Sequence, residues 1–485
     1  MIAQAQLQAS NDTANASVPS TLARLWALAG LDPAALSDLQ LTGDEPVLPS
    51  TFRVDAAAQS TIAASALAAA EVLRLRSGVH QQVVVGMRHA AAEFRSERYM
   101  RVDGKTVGET WDRIAGTYPC GDGRWVRLHT NFPHHRDGVL KILGCAYEKE
   151  AVAKALLAWK AEDFETAASE AGLVVAMMRS FAEWDAHPHG KAIAGLPVMT
   201  IERIGDAPPV ALPKSERPLS GVRVLDLTRV IAGPVCGRTL AAHGADVLNI
   251  SAAHLPAIEA LVIDAGRGKL TAQLDLRTES GRAQLQALAR GTDIFVQGYR
   301  PGGLASHGFA PEELARLRPG IICVSLSAYG HEGPWAGKRG FDSLVQTATG
   351  FNQAEGQAAG GDKPGPLPCQ ALDHGSGYLM AFGAMAALSR RLREGGSWHV
   401  RVSLAQTAHW LRHLGRLPNG LAVTDTTFAA VEDLLETDKS GHGMQTGVRH
   451  AGVLTKTPAR WDRPAMPLGS HLPSWPTSEA AAGSV

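Results

Sequence analysis

The sequence predicts an α/β protein with a Rossmann-like parallel sheet domain, helices on both faces of that sheet, and a smaller α+β domain. Between residues 222 and 402, apolar strands such as VRVLDL, DIFVQG and IICVSLSA alternate with helix-like segments, a pattern typical of βαβ units. Residues 100–200 differ, because a hairpin signal at Asp122-Gly123 precedes helical stretches there. A chain of 485 residues is long enough for more than one domain.

The composition is that of a globular protein, with 45% hydrophobic and 19% charged residues. Forty-seven basic residues balance forty-seven acidic ones, so no overall positive field favours nucleic acid or an anionic membrane as a partner. The five cysteines are scattered and form no CxxC pair, which argues against a disulfide framework or a zinc site. The first twenty residues lack the pattern of a signal peptide, and we therefore expect a cytoplasmic protein.

These patterns divide the chain into seven segments. The polar N-terminus and the C-terminal end rich in Pro and Ser are expected to be mobile. The predicted segments are an N-terminal extension (1–50), a partial duplicate of an aspartate-headed helix segment (51–100), the small α+β domain (101–200), a proline-rich linker (201–220), the Rossmann-like domain (221–415), a C-terminal return segment (416–470) and a flexible tail (471–485).

The sheet domain opens with a strand, a helix that begins at Ala232-Gly233-Pro234, and a second strand that ends near residue 250. The free N–H groups at such a helix start favour an anion. Tight packing between strand and helix explains the same residues equally well, since the GxGxxG fingerprint is absent. Pro311 near a helix start and Pro319-Gly320 after its end mark a later helix of the same domain.

An internal repeat relates the two halves of the chain. Asp55 precedes Gly78 by 23 positions, and Asp373 precedes Gly396 by the same number; each stretch reads as an Ala-rich helix, a basic turn and a strand. Chance similarity between two Ala-rich helices is the alternative.

Three groups of residues could carry chemistry. Asp373 lies at the start of a glycine-edged helix, where small neighbours would let a substrate approach and the helix N-terminus would keep the carboxylate ionised; a plain N-cap is the alternative. Arg267 and Lys269 could hold phosphate, or they could be solvated. His134-His135 has no third ligand at a spacing that would indicate a metal site.

Several stretches resemble the class III CoA-transferases, a family that also includes formyl-CoA and carnitine CoA-transferases and the α-methylacyl-CoA racemases. The stretches that carry the resemblance occur in family order and cover most of residues 219–470: GVRVLDLTRVIAGPVCGRTLAAHGADVLNI, GRGKLTAQLDLRTESGRAQL, DIFVQGYRPGGLASHGF, LARLRPGIICVSLSAYGHEGPWAGKRGFDSLVQTATG and VLTKTPARWDRPAMPLG. Residues 97–144 resemble the family's small domain, which here precedes the sheet domain instead of interrupting it.

The resemblance implies a CoA-transferase that acts on CoA thioesters as substrates and has no tightly bound cofactor. Asp373 matches the family nucleophile, which forms an aspartyl acyl-anhydride and then an aspartyl-CoA thioester. The positions that match CoA contacts are Val230, Ala232, Leu274, Tyr299 and Arg339. The implied partners are an acyl-CoA and a carboxylic acid, and the implied assembly is an interlaced homodimer.

The sequence also departs from the family pattern. Ser251-Ala252-Ala253 replaces an acidic-Arg-Pro element, and Ser306 stands where some members have arginine. Fewer fixed cations are therefore present to bind the phosphates of CoA, and we expect weaker phosphate binding. Phe341 takes the place of the racemase histidine and disfavours racemisation. Asp55 has no complete CoA-binding half before it and is predicted to be structural. The alternatives are an acyl-CoA lyase, hydrolase or racemase of the same superfamily, and a non-catalytic CoA-binding or assembly protein.

Overall fold

The computed structural model describes residues 17–476. Residues 1–16 of the predicted mobile N-terminus and residues 477–485 of the predicted tail lie outside the described residues. The helices in chain order are α1 Val18–Leu28, α2 Val54–Ser77, α3 Met87–Glu93, α4 Ser96–Tyr99, α5 Pro133–Leu143, α6 Lys149–Leu156, α7 Ala161–Glu170, α8 Phe181–Ala186, α9 Pro188–Ile193, α10 Ala232–Ala242, α11 Glu259–Gly266, α12 Glu279–Ala289, α13 Pro311–Leu317, α14 Asp342–Ala348, α15 Phe351–Ala358, α16 Ala371–Glu394 and α17 Leu404–His413.

The strands form four sheets. In chain order they are β1 Leu39–Thr42, β2 Val83–Gly86, β3 Arg101–Val102, β4 Gly116–Pro119, β5 Trp125–Leu128, β6 Val175–Met177, β7 Met199–Gly205, β8 Arg223–Leu227, β9 Asp246–Ser251, β10 Lys269–Gln273, β11 Ile294–Gln297, β12 Ile322–Ser327, β13 Ser397–Ser403, β14 Leu435–Ser440, β15 Gly443–Val448 and β16 Gly452–Leu454.

The largest sheet has seven strands in the order β10-β9-β8-β11-β12-β13-β7. All are parallel except β7, which pairs antiparallel with β13. Counted along the chain, the parallel strands have the doubly wound order 3-2-1-4-5-6, in which ligands bind at the carboxyl ends of the strands where the order reverses. The predicted α/β sheet is therefore confirmed. Strand β7 corrects the predicted boundaries, because Met199–Gly205 was assigned to the small domain and the linker and instead forms the sheet edge.

Alternate residues of each strand cover the two faces of this sheet. Val224 of β8 packs into the core that contains α10 and α16, whereas the next residue, Leu225, packs with α12 and α13 on the other side. This alternation gives a parallel sheet that is buried on both faces, as expected for βαβ connections.

The long helices α2 and α16 form the centre of the molecule. Each has 24 residues, almost all of them buried, and the two helices pack against each other. Alanine-rich sequence favours helix and lets the two backbones approach closely. Helix α2 is apolar and long enough to cross a membrane by length and composition alone, but the whole of its most apolar stretch is buried inside the protein, as in a core helix.

The repeat continues beyond the helices, because β2 follows α2 as β13 follows α16. The first copy, however, builds only the three-stranded sheet β1-β2-β16. Its last strand, β16, comes from the C-terminal segment and pairs antiparallel with β2, while β15 of the same segment pairs with β3. The N-terminal and C-terminal parts of the chain are thus interlaced within one molecule.

The small domain contains the antiparallel sheet β4-β5-β6 and the helices α5 to α7 around its own apolar core. The predicted hairpin connects β4 and β5, and Gly123 adopts a φ of 76° in its turn. The first part of the predicted flexible tail differs from expectation. His471 N–H donates to Thr271 O, and the Trp475 indole N–H donates to Leu288 O, so residues 471–476 pack on the sheet domain.

Candidate active site

A cleft of about 530 Å³ opens at the carboxyl ends of β8, β11 and β12, where the strand order reverses. The small domain closes one side of it through residues 132–135, at the start of α5, and Val174. The residues that line the cleft include Arg229, Val230, Ala232, Tyr299, Arg300, Lys338, Arg339, Phe341 and Asp373. The two parts of the chain therefore form one shared cleft.

Asp373, the third residue of α16, contributes its side chain to the wall of this cleft. The residue is only 7% exposed. Among residues 17–476, no hydrogen bond or ion pair engages its carboxylate oxygens. A buried carboxylate is normally paired, so one that faces a cavity without a partner is free to react with a ligand.

Asp342, the first residue of α14, fixes the start of α16. Its carboxylate accepts the backbone N–H groups of Leu372 at 2.7 Å and Asp373 at 2.9 Å, and it also accepts the side-chain amide of Gln346. The N-cap position of α16, Gln370, makes no side-chain cap of its own. Asp342 thus caps α16 from another helix and leaves the side chain of Asp373 uncommitted.

Burial raises the pKa of Asp373 well above its usual range, and the nearby carboxylates of Asp342 and Glu97 raise it further. Burial also raises the pKa of Asp342 to about 6. We predicted that the helix N-terminus keeps Asp373 ionised; the loss of hydration and the two like charges act against that effect of the helix dipole.

Glu97 belongs to the first half of the chain and yet lies beside this site. Its carboxylate is 3.1 Å from Nε2 of His374, whose ring also stacks on Phe94. The His374 side chain is 1% exposed. The first copy therefore supplies a carboxylate and an aromatic ring to the surroundings of the second copy's aspartate.

The glycines that follow Asp373 serve packing and not substrate access, contrary to the prediction. A Cβ atom at Gly377 would lie 2.5 Å from Ala232 O and 2.8 Å from Val235 Cβ, and one at Gly375 would lie 3.3 Å from Thr407 Cγ2. These glycines let α10 and α17 approach α16 closely.

The turn between β8 and α10 is strained where it faces the cleft. Val230 has a φ of 73°, a left-handed conformation that is unusual for a β-branched residue. The turn closes tightly, since a Cβ atom at Gly233 would lie 2.3 Å from Thr228 Cβ. Val230 and Ala232, two of the predicted CoA contacts, line the cleft on either side of Ile231.

Four cationic side chains line the cleft with Asp373. Arg229 is half-buried, and its pKa is lowered by burial. Arg300 and Arg339 are exposed, and Lys338 is held 3.1 Å from Glu165 of the small domain. Cations at the mouth of a cleft attract and orient an anionic ligand.

A neighbouring cavity of about 210 Å³ extends the cleft toward β9 and β10. It is lined by Leu274, which the sequence assigned to the same ligand, and it shares Tyr299 and Arg300 with the cleft. Arg277, His254 and His307 also line this cavity. The combined shape suits a long, partly anionic ligand.

The sheet domain matches the model of a known protein family. Residues 219–414, which contain β8 through α17, match the model of CoA-transferase family III.

Curated relatives carry related names. An "acyl-CoA transferase" of Gibberella moniliformis is 29% identical over 77% of this chain and 73% of its own length. A "probable fatty acyl-CoA transferase" of Mycobacterium tuberculosis is 32% identical, and the "succinate–glutarate CoA-transferase" of Agrobacterium fabrum is 31% identical; each alignment covers 40% of this chain and 52% of the relative. The chain thus spans about half the length of these last two relatives.

Among solved structures, a CAIB/BAIF family protein from Brucella suis is 28% identical. The match covers 40% of this chain and 55% of that protein, with a TM-score of 0.37.

Two of the predicted CoA contacts of the sheet domain lie outside the cleft. Arg267 is buried beside Asp264 at 3.1 Å and stacks over Trp461, and it donates to Val448 O. Lys269 donates to Asp226 at 2.9 Å and to Pro234 O at 2.8 Å. Both cations already have buried partners, so neither holds phosphate in the cleft as predicted.

Sequence reasoning missed Arg229, Arg300, Lys338 and Asp342. Arg300 directly follows Tyr299, a predicted CoA contact, in GYRPGG. Asp342 directly follows Phe341, the residue at the position of the racemase histidine, in RGFDSLVQ. Arg229 directly precedes Val230 and Lys338 directly precedes Arg339, so both are also adjacent to predicted CoA contacts, and the structure places them in the same cavity as Asp373.

Phe341 occupies the cleft wall with its ring stacked on His129 at 3.9 Å. His134 and His135 line the same wall. Burial lowers the pKa of His135 to about 4 and that of His129 to about 3. These imidazoles are therefore neutral and weakly basic at physiological pH.

Proposed function

We propose that the protein transfers CoA from an acyl-CoA thioester to a carboxylic acid, with Asp373 as the nucleophile. The observation that carries the proposal is the unpaired Asp373 carboxylate on the wall of a cleft lined by four cations. The cleft and its extension have room for a long anionic thioester. The names of the relatives and the family model support the same class of reaction.

In the first half of the proposed reaction, an Asp373 carboxylate oxygen attacks the thioester carbonyl carbon. The carbon–sulfur bond breaks, CoA thiolate leaves, and an aspartyl acyl-anhydride remains. The thiolate then attacks the Asp373 carbonyl carbon, and the acyl group departs as a carboxylate. This half leaves CoA on Asp373 as a thioester.

The second half repeats these steps in reverse with the acceptor. The acceptor carboxylate attacks the aspartyl thioester, releases thiolate and forms a second anhydride. Thiolate attacks the acceptor carbonyl carbon, and Asp373 departs as a carboxylate. No proton is consumed, so the chain needs to supply an ionised aspartate, fixed anion partners and a site that holds the thiolate.

Asp342 and the cations have distinct tasks in this scheme. Asp342 holds the first turn of α16 and so positions Asp373. The pKa of Asp373 is raised, which makes the ionised form a stronger nucleophile but reduces its population at low pH. Arg229, Arg300 and Arg339 would offset the negative charge of the thioester's phosphates and of the acceptor.

Racemisation is the weaker alternative, because it requires a base that can remove a proton from carbon. Phe341 cannot exchange a proton, and the histidines near it have lowered pKa values. A hydrolase or lyase would use the same acyl-enzyme; labelled acyl-CoA incubated with and without a carboxylate separates these reactions from transfer. A non-catalytic CoA-binding protein would bind CoA thioesters without forming any covalent species.

The test is to trap the aspartyl-CoA thioester. The protein is incubated with acyl-CoA and then with hydroxylamine, and peptide mass spectrometry is expected to find a hydroxamate on Asp373. Asp373→Ala is the control and should yield no modified peptide. An unmodified Asp373 peptide in a sample that still exchanges CoA would exclude the aspartyl route.

We also propose a reducing compartment, the cytoplasm, and a homodimer. All five cysteines are free thiols, and burial raises the pKa of the Cys120 thiol to about 12. Such thiols are unreactive. Light scattering at twice the chain mass is the expected result for a homodimer, and a mass equal to one chain would exclude it.

A further inference from the structure

A second, smaller cavity of about 70 Å³ lies beside the cleft, between the sheet and helices α10 and α11. Its wall is mostly apolar, and the apolar residues that line it away from the cleft include Ile258, Leu261, Val262, Ala265, Met466 and Leu468. Its volume is several times the 10–15 Å³ or so that one water molecule needs. The cavity therefore has room for a short aliphatic chain.

The small cavity and the cleft share a wall. Phe132, Arg229, Val230 and Leu255 line both of them. The guanidinium of Arg229 lies 5.1 Å from the ring centre of Phe132 and donates to Pro256 O. The side chains of Arg229 and Phe132 therefore contact each other on the wall that the cleft and the apolar cavity share.

The polar groups at the base of the cavity already have partners. Thr228 donates to Asp226 at 2.5 Å, Asn249 donates to Asp226 O at 3.1 Å, and Lys269 is paired with the same aspartate. Thr271 accepts the Gly469 N–H. Among the described lining residues, Ser251 Oγ alone is buried without a partner, and it carries no charge. Nothing at the base would pair with an ionised group.

We propose that this cavity receives the acyl group of the donor, and that the preferred donor is an aliphatic acyl-CoA whose chain enters between Arg229 and Phe132. The inference rests on the proposed function for its chemistry, because the thioester carbonyl must remain at Asp373. It adds a substrate class: an unbranched, uncharged acyl chain of about four to eight carbons, which fills the space without leaving a charge unpaired.

The test measures binding with unreactive S-alkyl-CoA thioethers, which do not depend on catalysis. Calorimetry should give dissociation constants that fall about threefold to fourfold for each methylene from ethyl to hexyl, and no further once the cavity is full. A flat series would overturn the proposal. Tighter binding of a thioether whose alkyl chain ends in a carboxylate would also overturn it, since Arg229 would then bind an anionic group at the end of the acyl chain.

Two variants test whether this cavity is responsible. Ala265→Leu adds a side chain that occupies the space, and it should reduce the ratio of hexyl to ethyl affinity at least tenfold. Val262→Ala enlarges the space and should move the optimum to a longer chain. Ala155→Leu, on α6 of the small domain and outside the described cavities, is the matched control and should keep the wild-type ratio. Unchanged ratios in both cavity variants would overturn the assignment.

The outcomes separate this inference from the proposed function. CoA exchange with a flat thioether series would retain the transferase and exclude the apolar pocket. Affinity that rises with the length of the S-alkyl chain, in a protein that does not exchange CoA, would retain the apolar pocket and exclude the transferase.

Discussion

Helices α2 and α16 have the same length and each carries an aspartate in its first turn, yet only one aspartate faces a cleft. The Asp55 carboxylate accepts the backbone N–H groups of Val47 at 2.7 Å and Leu48 at 3.2 Å. Asp373 has no such partner, because Asp342 takes the N–H groups at the start of α16. The segments that surround each helix start, a loop at Asp55 and helix α14 at Asp373, therefore decide which aspartate is available.

The residue four positions after each aspartate shows how the surroundings diverged. In α16 it is Gly377, against which α10 packs closely. In α2 it is Gln59, whose amide donates to Thr42 O and Val85 O and thereby joins β1 to β2. At this position the second copy packs against α10 beside the cleft, whereas the first copy is hydrogen-bonded to the small sheet that contains β1 and β2.

The largest expected effect is on catalysis at the two aspartates. Asp373→Ala should lower kcat for CoA transfer at least about 1,000-fold, because the covalent route is lost. Asp55→Ala should keep transfer but lower the free energy of unfolding by about 1–3 kcal/mol, since two N–H groups lose their acceptor. Steady-state kinetics and denaturant unfolding measure the two effects.

Asp55→Asn is the control for this pair, because the amide oxygen can still accept the two N–H bonds. Burial raises the pKa of Asp55 from its ordinary value of 3.8 to about 6, so ionisation of this carboxyl lowers the free energy of unfolding as the pH rises through that range. The asparagine variant should therefore lose less stability than the alanine variant at pH 7. Transfer that depends on Asp55 as strongly as on Asp373 would contradict the comparison.

A smaller effect is expected on the pH profile. Transfer requires ionised Asp373, whose pKa is raised, so kcat/KM should fall as the pH falls through that pKa. Asp342→Asn removes one of the like charges, lowers the pKa of Asp373 and should move this acid limb to lower pH. Kinetics across the pH range measure the shift.

The Asp342→Asn variant also places an amide N–H against the side-chain amide of Gln346, which costs about 1–3 kcal/mol of folding free energy. Thermal unfolding reports that cost separately from the pH effect. If the acid limb of kcat/KM lies at the same pH in the variant and in the wild type, the charge of Asp342 does not raise the pKa of Asp373.

The smallest expected effects come from the packing positions. Gly377→Ala should cost about 1–3 kcal/mol of stability, and it should also slow transfer because the displaced Ala232 lines the cleft. Gln59→Ala should cost about 1–2 kcal/mol through its two lost hydrogen bonds and leave the rate unchanged. Equal losses of rate in both variants would remove the distinction between the copies.

Part of this architecture could be predicted because its signals are local. Alternating strands and helices, the turn at Gly123 and the Ala-rich repeat each depend on residues close together in the chain. The cation assignment failed at Lys269, because its carboxylate partner Asp226 becomes a neighbour only through packing. It failed at Arg267 because the distant residues Trp461 and Val448 cover its guanidinium, although its carboxylate partner Asp264 is only three positions away in the chain. The raised pKa of Asp373 could not be predicted either, since Glu97 lies hundreds of residues away in the chain.

The sequence by itself determined the parallel α/β sheet and the repeat, because hydrophobic periodicity depends on short stretches of chain. Its resemblance to the class III CoA-transferases, and not the helix-start residues alone, marked Asp373 as the candidate nucleophile. Only the tertiary structure decided that Asp373 lacks a partner while Asp55 has two, and that one chain closes its own cleft. The physical reason is that hydration, charge neighbours and hydrogen-bond partners of a buried group depend on which distant segments cover it.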